Sequence, residues 1–360
     1  MDTIAVLTSG GDAPGMNAAI RAVAKVAASR GVRVIGVERG FDGLIEGRVR
    51  QLTRAVAGGL APIGELQSAG GMGGTMLGSA RCPRFHHPEG REAASHRMLS
   101  LGVSGLVVVG GNGSMAGAHA LALESPIPVV GIPASIDNDI GCTSDAIGVD
   151  TALNTIVEAC DRISDTAQAL KRAFVVEVMG RRSGYLAMSS AVAAAADAVL
   201  LPETSASDEE IIESVTEVIG RNLGTERAKR QVLIIKAEGI ELSTTALVEA
   251  VEERLAGQGI DIRAVVLGHI VRGGAPSFHD RMLAGRLGLV AVDALLGGTT
   301  DMMTAWRTTI DGGAPTQDPM VELFPIGIVL EETEALLDGT SEVTKRRIRR
   351  MEEIQGVLAL

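Results

Sequence analysis

The sequence predicts an α/β protein built from two Rossmann-like, three-layer domains with mostly parallel sheets. Three observations predict it. Short, nearly continuous apolar runs alternate with longer amphipathic stretches, as at residues 4–8 and 17–29. Strands apolar on both faces are buried on both, which is the habit of parallel sheets covered by helices. Several of the runs end in Gly-rich turns, which put ligands at the carboxyl edges of such sheets. The chain has 360 residues, 46% of them hydrophobic, enough for about two domains with a large core.

Taken in order, strands are predicted at 4–8, 32–38, 106–109, 128–133, 174–179, 198–201, 232–236 and 264–267. Helices are predicted at 17–29, 89–101, 114–124, 151–170, 183–195, 207–222, 244–255 and 280–296. Ser207-Asp208-Glu209-Glu210 reads as a capping box, since the Ser oxygen and the Glu carboxylate can each take a free helix N–H. No Pro- or Ser-rich linker separates the halves, so the boundary falls softly near 140–150, with the site expected in a cleft between them. The basic run KRRIRR at 345–350 reads as an exposed helix or tail.

Composition excludes several functions. Lys plus Arg is 33 against 44 Asp plus Glu, a net charge of −11, and there are only one Trp, one Tyr and five Phe. Such a chain lacks the basic grooves and stacking rings that grip nucleic acid. Three Cys (Cys82, Cys142, Cys160) without a CxxC pair fit neither a disulfide scaffold nor a zinc finger, and suit a reducing compartment. The N-terminus shows no secretory pattern, and the most apolar stretch, 186–201, is too short for a membrane span. A cytoplasmic protein with no nucleic-acid or membrane partner is expected.

Five segments can carry chemistry. SGGDAPGMN (9–17) follows a strand and opens a helix, where glycines let backbone N–H groups approach a phosphate. GGNGS (110–114) does the same. Its loose GxGxxA match lacks a ribose-binding acid near the required distance, and no Lys in the chain follows a glycine, so there is no Walker A motif. Phosphate must then be held by backbone and by Arg, whose planar fork suits it. PASIDND (133–139) places two carboxylates two residues apart at a strand end. They can divide the roles of proton acceptor and Mg²⁺ or substrate ligand, or simply build a turn. MGRR (179–182) and GHIVRGG (268–274) each put Arg just past an apolar strand, and Glu238 ends another.

Together these segments resemble the 6-phosphofructokinases, which use ATP or pyrophosphate. The match runs from residue 4 to about 296 and includes LTSGGDAPGMNAAIRAV, LGSARCP, GGNGS, SIDNDI, IGVDTALNT, VVEVMGR and VLGHIVRGG in the family's order. The resemblance implies two domains, 1–147 plus about 270–303 for nucleotide and 148–269 plus about 304–360 for sugar phosphate. It implies fructose 6-phosphate and ATP as substrates, Mg²⁺ as cofactor, and a homotetramer or homodimer with shared active sites.

Carried over position by position, Asp137 is the base for the C1 hydroxyl, and Arg181 and Arg81 steady the transferring phosphoryl group. Gly11, Phe41, Arg81, Cys82, Gly111, Asn112, Gly113, Ser114 and Gly117 fall on nucleotide positions. Ser135, Asp137, Asp139, Met179, Gly180, Arg181, Glu238, His269 and Arg272 fall on substrate positions. Arg172 and Arg263 match the two Arg lent by a neighbouring subunit, and Asn112 and Asp139 are the metal positions. The pyrophosphate branch has an Asp at position 113 and a Lys at 134. Gly113 and Ala134 stand there, which favours ATP.

One departure matters. The family's GGD or GGE acid is Asn112, which keeps a carbonyl oxygen and loses the charge that Mg²⁺ prefers. This leaves three functions open: an ATP-dependent kinase, a pyrophosphate-dependent one, or a silent homologue that binds ligands and regulates. The family's effector-site bases are matched by Arg21, Lys25, Arg54, Arg227, Lys229 and Arg230, while Ser164 and Gly58-Gly59 depart from it.

Overall fold

The protein is described by a computed structural model covering residues 2–224, 229–308 and 310–358, so Arg227 lies outside the described residues. The fully buried β1 (Thr3–Ser9) runs into α1 (Met16–Ser29), whose inner stripe of Met16, Ile20, Val23 and Ala27 recurs at helical spacing. Next come β2 (Arg33–Val37), α2 (Gly40–Glu46), β3 (Val49–Gln51), the hairpin of β4 (Thr53–Val56) and β5 (Gly59–Pro62), and α3 (Glu65–Ala69). α4 (Pro88–Ser100) starts on proline, whose missing N–H costs nothing in a first turn. β6 (Leu106–Gly110), α5 (Asn112–Glu124), β7 (Val129–Pro133) and α6 (Val149–Leu170) follow.

Beyond α6 lie β8 (Arg172–Val178), α7 (Tyr185–Ala193), β9 (Ala198–Leu200) and α8 (Asp208–Leu223). The capping box forms as expected, with Ser207 accepting from the Glu210 N–H and Glu210 reaching back. β10 (Gln231–Ala237), α9 (Thr244–Arg254), β11 (Asp261–Val266) and α10 (Phe278–Leu296) continue the alternation. The chain ends with β12 (Met302–Trp306), β13 (Ala314–Pro315), β14 (Val321–Pro325), α11 (Ile326–Leu337) and α12 (Glu342–Leu358). Among the described residues, no helix is long and apolar enough to cross a membrane.

The chain divides into two compact units. The first holds Met1–Ile136, Ile140–Thr151 and Arg272–Leu336; the second holds Asp137–Asp139, Ala152–Val271 and Leu337–Leu360. In the first, eight strands lie in the order β13-β14-β12-β7-β6-β1-β2-β3. The five central strands are parallel, and antiparallel strands close both edges. The second has a parallel four-stranded sheet, β11-β8-β10-β9. Its core packs Val175, Ile234, Ile219, Leu247 and Ile262 between sheet and helices.

The division departs from the expected domain limits by a few residues at 137–139, 148–151 and 270–271, and by a whole segment at 304–336. The sequence reading places residues 304–336 with the second domain, but they pack in the first unit. β12 pairs with β7 through Met302↔Val130 and Met303↔Gly131, and β14 pairs with β12 from Met302↔Pro325 to Trp306↔Val321. A strand that begins in one sheet carries its hairpin partner with it. The elements between residues 40 and 69 are short and partly polar, so no apolar period marks them.

One buried acid organises the first unit. Asp280 has no exposed surface. Its carboxylate accepts the Gly148 and Thr151 N–H groups at 2.8 Å each and the Thr151 hydroxyl at 2.5 Å. Burial pushes its pKa up, and these hydrogen bonds oppose the rise. An Asp280→Ala variant strands these donors in the interior. It should cost about 3 kcal/mol of stability in denaturant unfolding.

Candidate active site

The first unit supplies a glycine-lined carboxyl edge. β1 and β6 are neighbours, so the turns that follow them, 9–15 and 110–114, come together. Gly10 has φ +84°, and a side chain there would reach within 3.3 Å of the Ser114 hydroxyl. A Cβ at Gly110 would lie 2.4 Å from the same oxygen and 2.5 Å from the Ser9 carbonyl, so both strands depend on bare backbone here. Ser114 is 2% exposed, and its hydroxyl oxygen has no hydrogen-bond partner among the described residues. A buried hydroxyl in that state, at the start of α5, suits an anionic oxygen supplied by a ligand. A Cβ at Gly113 would meet nothing within 4 Å.

Other expected nucleotide positions surround this cradle. A Cβ at Gly111 would approach Ser135 at 3.7 Å. Gly117 packs on Phe41, with only 2.9 Å between a built Cβ and the ring. Phe41 itself is 4% exposed and stacks on Phe85, with centroids 4.0 Å apart, so it forms a floor beneath α5. Arg81 is exposed on the loop that precedes the short 3-10 helix Pro83–His86. The Cys82 thiol donates to Asp42 at 3.7 Å, and burial raises its pKa. Arg84, hydrogen-bonded to Asp42 at 2.5 Å, lowers that carboxyl's pKa.

Arg272 also belongs to the first unit. Its guanidinium donates to the Asp12 carbonyl at 3.0 Å, and a Cβ at Gly11 would lie 2.8 Å from it. A side chain at position 11 would have to displace the Arg272 guanidinium.

In the second unit, β8 and β10 run side by side and deliver Met179-Gly180-Arg181 and Glu238 at their carboxyl ends. Glu238 N–H donates to the Val178 carbonyl at 2.9 Å. Gly180 takes φ +130°, and a Cβ there would strike the Ser183 carbonyl at 2.4 Å. Arg181 is exposed, and Met179 is 7% exposed. Arg172 and Arg263 share one carboxylate, Asp261: Arg172 through Nε, and Arg263 at 2.9 Å. His269 is exposed within the 3-10 turn Gly268–Arg272. Between Asp137 and Asp139, Asn138 adopts φ +47°. Asn is among the few side chains that tolerate this region. The two acids thus flank a sharp turn rather than lie along an extended segment, so they can take separate roles. Among the described residues, no three acids, His or Cys gather to hold a metal.

A scan against family profiles matches the phosphofructokinase family over residues 3–295. The chain belongs to the phosphofructokinase family. It is 44% identical over 322 residues to an ATP-dependent 6-phosphofructokinase of Thermotoga petrophila, covering 89% of this chain and 94% of that one. A Thermotoga neapolitana enzyme of the same description is 45% identical over 305 residues, 85% of this chain and 90% of that one. The phosphofructokinase structure from Saccharomyces cerevisiae superposes with a TM-score of 0.82 at 29% identity. It covers 99% of this chain, which spans half the length of that yeast chain.

Three positioning residues carry no motif label of their own. Asp261 and Asp280 read as ordinary acids at a strand start and a helix start. Asn17 sits inside SGGDAPGMN, yet its work is distant in sequence. Its amide donates to the Met72 and Gly73 carbonyls at 3.2 and 3.1 Å, and its oxygen accepts the Met76 N–H at 2.7 Å. This staples the loop that leads to Arg81. Asn17→Ala should cost about 2 kcal/mol and raise hydrogen exchange in residues 72–78, read by mass spectrometry.

Proposed function

We propose that this chain transfers the γ-phosphoryl group of ATP to the C1 hydroxyl of fructose 6-phosphate, giving fructose 1,6-bisphosphate and ADP. The observation that carries the reading is the cradle of Gly10, Gly110 and the buried Ser114 hydroxyl beside the open Gly113. Its donors and free volume suit a nucleoside triphosphate's phosphate chain.

Asp137 acts as the base. It takes the C1 hydroxyl proton while that oxygen forms its bond to the γ-phosphorus, and the bond to the β,γ-bridging oxygen breaks with ADP as leaving group. Arg81 and Arg181 stabilise the negative charge on the transferring group. Met179, Gly180 and Glu238 hold the sugar, and Arg272, already anchored on the Asp12 carbonyl, serves the sugar phosphate. Mg²⁺ bound to the ATP phosphates would neutralise their charge, with the Asn112 carbonyl and Asp139 as its protein oxygens.

ATP is favoured over pyrophosphate by two positions. Gly113 leaves room where an Asp would fill it, and Ala134 brings no cationic side chain toward a pyrophosphate. A homo-oligomer, tetramer or dimer, is supported by β11, an edge strand. It exposes Arg263 and Ala264 together with Val266 at 60%, and Ile270 follows at 65%. A cytoplasmic setting suits this chemistry and its soluble substrates.

A coupled assay with fructose 6-phosphate and either ATP or pyrophosphate tests the proposal. Turnover with ATP is expected. Turnover with pyrophosphate alone would overturn the donor assignment, and binding without turnover would favour a regulatory homologue. Asp137→Asn should lower kcat by about 10²–10⁴. Gly113→Asp should raise the KM for ATP about tenfold or more by filling the open volume. Asn112→Asp should strengthen Mg²⁺ dependence, lowering the Mg²⁺ concentration for half-maximal rate about threefold or more; an unchanged value would show that position 112 does not serve the metal.

A further inference from the structure

Lys236, in the second unit, is buried at 1% exposure, and the mechanism above makes no use of it. It pairs in register with Glu177 across β10 and β8. Its ammonium donates to Glu177 Oε2 at 3.1 Å and to the Ala237 and Ile240 carbonyls at 3.4 Å each. The Thr244 hydroxyl donates to the same Glu177 oxygen. Three protons meet three acceptors, so the ammonium has nothing left for a ligand.

Its two carbonyl partners lie on either side of Glu238. Gly239, the next residue, packs so closely on the neighbouring turn that a Cβ would lie 2.3 Å from the Arg181 carbonyl and 3.0 Å from that of Gly180. The Glu238 N–H is bound to the Val178 carbonyl. The turn 237–240 and the segment 178–181 are therefore one locked piece, and Lys236 closes it from beneath. A buried charge is costly unless fully partnered. Lys236 is fully partnered only when that turn holds its shape.

We infer that Lys236 is a positioning residue for the acceptor sugar phosphate, acting through the backbone that carries Glu238 and Arg181. The inference rests on the reading of those two residues as sugar-phosphate ligands. Lys236 touches no substrate. It sets the orientation of groups that do, and displacements of about 1 Å in such groups are enough to cost large factors in rate or binding.

Steady-state kinetics on the full chain test this with Lys236→Met and Thr244→Val, the second removing only the hydroxyl that steadies Glu177. Lys236→Met should raise the KM for fructose 6-phosphate about tenfold, with the KM for ATP within about twofold. Thr244→Val should shift the same constant about two- to threefold. Hydrogen exchange should rise in 178–183 and 237–241. A lowered melting temperature with both KM values unchanged, or equal loss toward both substrates, would overturn the inference. If Lys236→Met does not fold, Thr244→Val decides alone: a selective rise supports the inference and its absence overturns it. Wild-type protein inactive with fructose 6-phosphate and ATP would overturn the functional reading and this inference together. Active wild type with unshifted variants would overturn this inference only.

Discussion

The buried Asp280 carboxylate sets the frame of the first unit. A helix start leaves N–H groups without acceptors, and inside a protein each must be satisfied. Asp280 satisfies those of Gly148 and Thr151 at the head of α6. The Thr151 hydroxyl gives its proton to Asp280 and accepts the Ser277 N–H at 2.9 Å, so the starts of α6 and α10 form one network. Gly15 and Gly148 exist in consequence. A Cβ at Gly15 would come within 2.6 Å of Ile147, and one at Gly148 within 2.7 Å of Ala13. The loop that opens the phosphate cradle is thus pinned by a residue 265 positions away from Gly15 in the chain.

An acidic chain handling anionic substrates needs local positive potential without a basic surface. Backbone amides at glycine turns supply part of it, since they cost no charge and leave no side chain in the way. Arginine supplies the rest. Asp261 shows how such cations are kept in place: one carboxylate holds both Arg172 and Arg263. The net charge of −11 therefore describes the whole surface rather than these edges.

Much of this was legible in the sequence. Apolar runs leading into glycine turns mark β1 and β6, and the motif Ser207-Asp208-Glu209-Glu210 marks the start of α8. Hidden features share a cause: they depend on partners distant in sequence. Lys236 looks like the polar end of a strand until its register with Glu177 is known. Asp280 looks like a solvated first-turn acid, and Asn17 like one more small residue in a glycine loop. The membership of β12 and β14 is decided by pairing with β7, which no local pattern announces. Arg272 is visible in the sequence as the arginine of GHIVRGG, but its anchor on the Asp12 carbonyl and its bearing on Gly11 follow only from three-dimensional contact.

Both units answer the same mechanical problem alike. A glycine-rich turn at a sheet edge must hold its shape although its tip is solvated and glycine costs backbone entropy to order. In each unit a fully partnered charge stands behind the turn: Asp280 in the first, Lys236 in the second. Each is tied to main-chain groups rather than to side chains alone, so each restrains the backbone itself. A ligand's charge meets a turn already ordered, and less binding energy is lost to ordering it.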